Sequence, residues 1–247
     1  MCYDIAYFTK KIEAYEQRFG VSYGEGSVSP MYHANGFDHQ LVPVITGHDP
    51  GFIQLFHWGL IPFFIKDLQG AAKIQNSTLN ARDYSLLEKP AFKHAAVRRR
   101  CLVLVDAFYD HHWQNGKSFP FLIKMKNDAP FALGGVWEKW KFGEQVRWTF
   151  SIITTDPNPL MAWIHNEPKA SDRPRMPFIV KPADEHTWIS PELPEDEILP
   201  LIGPYPEEEL AHYPVPRLRG KAYPGNVPDI MQAHVYPELN SNQGTLF

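Results

Sequence analysis

The sequence predicts an α+β fold: a single domain over residues 1–247, built on mainly antiparallel, barrel-like sheets with short flanking helices. Three observations lead there. Strand-like apolar runs recur along the chain and are joined by hairpin signals. Helical spacing occurs only in short stretches, without the strand–helix alternation that builds parallel sheets. Finally, 23 prolines are spread through 247 residues rather than massed in a linker, which suits short strands and irregular connections.

Residues 5–18 accommodate a first strand and a short helix. "HQLVPVITG" (39–47) and the aromatic-rich "GFIQLFHWGL" (51–60) read as strands. "ARDYSLLEKPAFKHAAV" (81–97) has helical spacing that Pro90 is expected to break. "CLVLVDAFYD" (101–110) and "FPFLIKMK" (119–126) are the strongest strand signals, and Asn115-Gly116 between them marks a hairpin turn. "FALGGVWEKW" and "WTFSIITT" repeat that pattern around "KFGEQVR". "NPLMAWIH" (158–165) predicts a short helix capped by Asn158 with Pro159 in its first turn. "MPFIV" is a further strand, and "PADEHTWI" and "PEDEILPLI" are two short helices. From about residue 203 the Pro- and Tyr-rich chain is expected to wrap the domain irregularly.

Apolar residues make up 44% and charged residues 21%, so the chain can bury an ordinary core. No apolar run approaches the roughly 20 residues of a membrane span. The N-terminus lacks the regions of a signal peptide, and a cytoplasmic, reducing location is expected for two well-separated cysteines. A net charge of −4 argues against a protein that coats nucleic acid non-specifically. It leaves room for a local basic groove, since cations gather in "KHAAVRRR", "DRPRM" and "RLRGK".

Four features offer chemistry. Cys2 directly follows the initiator, so removal of Met1 would join a free amine and a thiol on adjacent carbons. With ordinary values near about 8 and 8.5, both groups would be partly nucleophilic at neutral pH. A 1,2-aminothiol condenses with an aldehyde to a Schiff base that the thiol closes into a thiazolidine ring, fast by proximity. The bland reading of Cys2 is an incidental residue at a frayed end. Asn80 and Arg82 in "LNAR" are otherwise a cap and a surface charge. Asp110 ends an apolar strand, where partial desolvation would raise its pKa and suit a general acid, or where it simply satisfies a turn. His165 suits proton transfer, though a lone histidine is more often structural. The pair His111-His112 points to opposite faces of a strand, and no ligand spacing supports a metal site or another cofactor.

The chain resembles the SOS response-associated peptidase (SRAP) family. The resemblance is carried, in order, by Met1-Cys2, "WGLIPFF" (58–64), "LNAR" (79–82), "RRCLVLVDAFYD" (99–110) and "GKSFPFLI" (116–123). It continues through "LGGVWE" (133–138), "FSIITTDPNPLMAWIH" (150–165) and "RMPFIV" (175–180). It implies a protein that traps abasic sites in single-stranded DNA as a thiazolidine crosslink, and whose autocatalytic processing frees the cysteine. Residue by residue, it implies Cys2 as nucleophile and Asn80 as the group holding the N-terminus and sugar. Asp110, where the family usually has glutamate, would donate a proton for ring opening, and His165 would assist. Arg82 and Arg175 would contact phosphates, and Phe63 and Phe64 would stack or wedge beside the missing base. The expected partner is abasic single-stranded DNA, with no membrane and a monomeric state.

Three departures stand out. Cys2-Tyr3-Asp4 replaces the family's Cys-Gly-Arg, and Asp4 would repel DNA if exposed. Asp110 is one methylene shorter than glutamate. Residues 166–174 form an insertion between His165 and Arg175. Two other readings stay open: an N-terminal-nucleophile thiol amidohydrolase using Cys2 and Asn80, and a non-catalytic single-strand-binding module.

Overall fold

The computed structural model describes residues 2–24, 29–168 and 173–240. In chain order it begins with β1 (Asp4–Tyr7), α1 (Ile12–Phe19), β2 (Ser22–Tyr23), β3 (Met31–Asn35), β4 (Leu41–Thr46) and β5 (Asp49–Trp58). Then come α2 (Leu68–Gln75), β6 (Asn80–Arg82), α3 (Pro90–Arg98), β7 (Arg100–Val105), β8 (Ala107–Gln114) and β9 (Lys117–Met125). The chain continues through β10 (Phe131–Phe142), β11 (Gln145–Thr155), α4 (Pro159–Ile164) and β12 (Met176–Pro177). It ends with α5 (Glu185–Ile189), α6 (Glu195–Ile198), β13 (Leu210–Pro214) and α7 (Pro237–Asn240).

One sheet runs β13-β9-β8-β1-β3 and is antiparallel throughout. In the other, β5-β4-β7-β10-β11 pair as antiparallel neighbours, and β11 returns to β5 in parallel at Thr149–His57 and Phe150–Trp58. That return closes a five-stranded barrel, so these strands leave no open edge between them. The antiparallel, barrel-like α+β fold that the sequence predicts is the fold observed. Its parallel contacts are confined to short pairs: β2 and β11 with β5, and β6 with β11.

The run 101–110 is not one strand. It divides at Asp106 into β7 in the barrel and β8 in the other sheet. The Asp106 backbone N–H donates to the Ala6 carbonyl at 2.8 Å, and its Oδ2 accepts from the Thr9 N–H (2.8 Å) and hydroxyl (2.7 Å). This residue therefore carries the chain from sheet to sheet while tying down the end of β1. Pro90 begins α3 instead of breaking a helix, because a first-turn residue needs no N–H partner. Asn158 caps α4 as expected, accepting from the Met161 N–H at 2.8 Å. Asn115 and Gly116 take φ of 52° and 75°, the left-handed pair of a two-residue hairpin. Within "LGGVWE", Gly134 passes so close to Phe178 that a Cβ would lie 2.3 Å from its ring.

Trp58 and Phe150 stack at 6.1 Å in the core, and the Trp58 indole N–H donates to the Leu79 carbonyl at 2.9 Å. This sets the position of β6, which continues along the same edge of β11. Beneath the barrel, Arg100 is only 1% exposed. Its guanidinium donates to the Ala96, Val97, Trp188 and Ser190 carbonyls, closing the ends of α3 and α5. Burial lowers its pKa to about 10, which leaves it charged at neutral pH. The tail after residue 203 contributes β13, which extends the antiparallel sheet beside β9. Among the described residues, no helix is long and apolar enough to cross a membrane.

Arg100→Ala strands several carbonyls at once and is expected to lower the unfolding free energy by about 3 kcal/mol. Chemical denaturation measures this, and Arg100→Lys is expected to recover only part of the loss.

Candidate active site

The chain start is gathered into the interior. β1 lies between β3 and β8, with Asp4 opposite Asn35 on one side and Tyr109 on the other. Cys2, just ahead of it, is 1% exposed. From β6, Asn80 donates its Nδ2 hydrogen to the Cys2 carbonyl at 2.9 Å. Its Oδ1 is buried without a hydrogen-bond partner among the described residues. Asp110 on β8 carries a charge that acts on the Cys2 thiol. His165, at the end of α4, places Nδ1 2.7 Å from Asp110 Oδ2. The structure therefore brings together Cys2, Asn80, Asp110 and His165, which lie far apart in sequence. Beside them a cleft of about 400 Å³ is lined by Tyr3, Asp110, His111, Trp113, His165 and Arg219, among others.

Two protonation states differ from those read off the sequence. Burial pushes the Cys2 thiol far above its ordinary value, and the charges of Asp110 and Asp4 push further in the same direction. The resting thiol is therefore protonated, not partly ionised. Burial also pulls the Asp110 carboxyl upward. Positive charge nearby, the His165 bond and the His111 backbone N–H (2.7 Å) outweigh it and hold Asp110 below the ordinary 3.8. Asp110 is thus a carboxylate at rest, where the sequence reading expected a raised pKa. The neighbouring His111 imidazole is held neutral: burial lowers its pKa, and the positive charges of Arg219 and Arg217 reinforce that against Asp110 and Asp4.

The expected phosphate and base contacts occupy different places. Arg82 follows Asn80 on β6 and donates to the Tyr84 hydroxyl at 2.5 Å. Arg175 sets its guanidinium 5.6 Å from the Tyr84 ring while being nine-tenths buried. The two guanidiniums converge on an exposed tyrosine and lower its hydroxyl pKa, chiefly through the Arg82 hydrogen bond. Phe63 and Phe64 are exposed and meet edge to face at 5.6 Å. Phe63 packs on His94 and lines a separate hollow with Lys93, Arg98 and Arg99. No group of three or more His, Cys, Asp or Glu positioned to hold a metal occurs among the described residues.

Asp4 is buried, so it does not face solvent as a repulsive charge. Arg219 Nη2 donates to both of its oxygens (2.9 and 3.0 Å), and His33 Nε2 meets Oδ1 at 2.9 Å. Nothing in the "RLRGK" cluster itself signals a partner 215 positions earlier in the chain. At the other departure, Asn166 is pinned to Trp113 by two hydrogen bonds, 2.7 Å to its N–H and 3.1 Å to its carbonyl. Residues 169–172 of that insertion lie outside the described residues, as does Met1.

Fold and site together define a class: a closed, mainly antiparallel barrel in a chain whose second residue, a cysteine, is held beside an Asp–His pair. Residues 1–221 match the SOS response associated peptidase (SRAP) family, and the chain belongs to that family. It is 33% identical over 213 residues to the abasic site processing protein YoqW of Bacillus subtilis, covering 85% of this chain and 89% of the relative. A second Bacillus subtilis relative, abasic site processing protein YoaM, is 33% identical over 197 residues, covering 78% of this chain and 81% of the relative. The crystal structure of a protein from Bacteroides thetaiotaomicron superposes with a TM-score of 0.84 at 30% identity, covering 95% of this chain and all of the other.

Because the folded pKa of Asp110 lies below its unfolded value, the stability it contributes is complete above about pH 3.8 and is lost as pH falls through the folded value. Carboxyl NMR titration is expected to place the Asp110 midpoint under 3.8, and His165→Gln to move it upward.

Proposed function

We propose that the chain, once Met1 is removed, captures abasic sites in single-stranded DNA as a thiazolidine at Cys2. The observation that carries this reading is the placing of Cys2: its carbonyl held by Asn80, and Cys2 itself buried beside an Asp110–His165 pair that lines an open cleft. The names of the relatives point to the same lesion.

The substrate aldehyde is C1′ of the ring-opened deoxyribose. The Cys2 amine attacks it, and the hydroxyl formed leaves as water to give a Schiff base. Sγ then adds to the same carbon, and the thiol proton passes to nitrogen. One aldehyde and one aminothiol thus become one thiazolidine and one water. The order follows from the electrostatics. A thiol kept protonated by burial and by Asp110 is a poor first nucleophile, whereas the cationic Schiff base offsets the neighbouring carboxylate and lets the thiol ionise as it closes. A thiol-first attack on an amide gains no such help.

Asp110, ionised at rest, holds the His165 ring through Nδ1, and His165 delivers the proton that opens the sugar ring. Asn80 Oδ1 is available to a sugar hydroxyl or to the freed amine. Arg82 and Arg175 act on a backbone phosphate, which orients the strand without reading sequence. Phe63 and Phe64, both exposed, contact a base farther along the strand in this reading. We read residues 1–247 as a single domain acting as a monomer.

Mixed with an abasic oligonucleotide, protein lacking Met1 is expected to give a heat-stable shifted band on a denaturing gel. Cys2→Ala should abolish it, and Cys2→Ser should give a band only after borohydride reduction. Asp110→Asn should slow its appearance by about a hundredfold. No band from the unaltered protein, alongside a working positive control, would refute the proposal.

A further inference from the structure

We infer that Arg219 is a phosphate-contacting residue at the cleft mouth, anchored by the buried carboxylate of Asp4 and adjoined by the exposed ring of Phe37. The inference rests on the reading that this cleft receives single-stranded DNA.

Arg219 lines the same cleft as Asp110 and His165. Both of its hydrogen bonds among the described residues pass through Nη2 to Asp4. A guanidinium presents five N–H donors in a planar fork, so one edge is held while the others remain available. The burial is unequal: the Asp4 side chain is 5% exposed and that of Arg219 is 47%. Both members line the cleft, but the negative one is buried in its wall and the positive one is exposed. The anchor is itself secured. His33 meets Asp4 through Nε2 and the Tyr223 hydroxyl through Nδ1, both at 2.9 Å. A cation held from behind loses less freedom on binding a phosphate than a loose surface side chain does.

The other charges facing the cleft leave this position open to an anion. Asp110 is paired with His165. Glu167 is exposed at the rim, where solvent screens it. Arg217 stands close enough to act on His111 together with Arg219, adding positive potential on the same side. A nucleotide also needs a surface for its base. Phe37 is 47% exposed and packs on Tyr3 at 5.1 Å, and both line this cleft. The ring face of Phe37 suits stacking of a base beside the lesion, whereas Phe63 lines a different hollow.

Binding is separated from crosslinking by working in the Cys2→Ala protein, which cannot form the thiazolidine. Fluorescence anisotropy with a single-stranded oligonucleotide carrying a stable abasic analogue is measured across a range of salt. Adding Arg219→Ala is expected to raise Kd about fivefold and to flatten the salt slope by about 0.7, the value for one phosphate on a single strand. Arg219→Lys should restore most of the slope, and Phe37→Ala should weaken binding with the slope unchanged. In protein with Cys2 intact, Arg219→Ala should raise the half-saturating DNA concentration more than it lowers the plateau crosslinking rate. If Arg219→Ala does not fold, Arg219→Gln removes the charge while keeping a donor for Asp4. Unchanged Kd and slope in a folded charge-removing variant would overturn the inference. So would a loss of binding that follows a fall in Tm alike in the Ala, Gln and Lys variants, or an absence of DNA binding by the parent. Arg219-dependent binding without crosslinking would sustain this inference while refuting the thiazolidine chemistry.

Discussion

Everything at this site depends on the first strand being an interior one. Chain ends usually fray because nothing holds their backbone groups. Here β1 is paired on both sides, by β3 and β8, and all four of its residues are buried. The anchoring continues beyond the strand. Asn80 holds the Cys2 carbonyl from one side, and the Gly36 N–H donates to the Tyr3 carbonyl from another. Asp106 fastens the end of β1 through Thr9. A terminal amine on such a segment would meet its target with its orientation already settled, and that is where most of the gain from proximity arises.

That burial has an electrostatic consequence. A thiol in the interior next to a carboxylate stays protonated, so the enclosure that positions Cys2 also restrains it. Asp110 escapes the same penalty because hydrogen bonds and positive charge favour its ionised form. The two groups are thereby driven apart in protonation: a neutral nucleophile and a charged carboxylate, with His165 joined to the latter. The arrangement favours an electrophile that first becomes cationic and only then needs the thiol.

Much of the fold was readable because antiparallel strands alternate with period two and their turns have residue signatures. The β8–β9 hairpin around Asn115-Gly116 and the capped helix α4 follow from a few neighbouring residues. The elements that resisted are those governed by distant partners. A three-residue strand such as β6 has no period of its own, and it forms because β11 offers an edge beyond Trp58. The break at Asp106 is invisible in a continuous apolar run, since what decides it is the Ala6 carbonyl waiting in the other sheet. Asp4 looked like an exposed liability because its partner lies near the far end of the chain. In the site, Cys2, Asn80, Asp110 and His165 were reached by their chemistry and by family resemblance. The protonation of Cys2 and Asp110 was not legible, because it depends on burial and neighbours that no local pattern records.

The central claim is that the amine and thiol of Cys2 act in succession on one aldehyde carbon. Intact-mass measurement of the crosslinked product, followed by peptide mapping, tests it most directly. The account predicts a mass equal to protein without Met1 plus abasic oligonucleotide minus one water, unchanged by borohydride, with the adduct on the peptide that begins at Cys2. A product that retains Met1, gains two hydrogens on borohydride treatment, or maps to a lysine would contradict it.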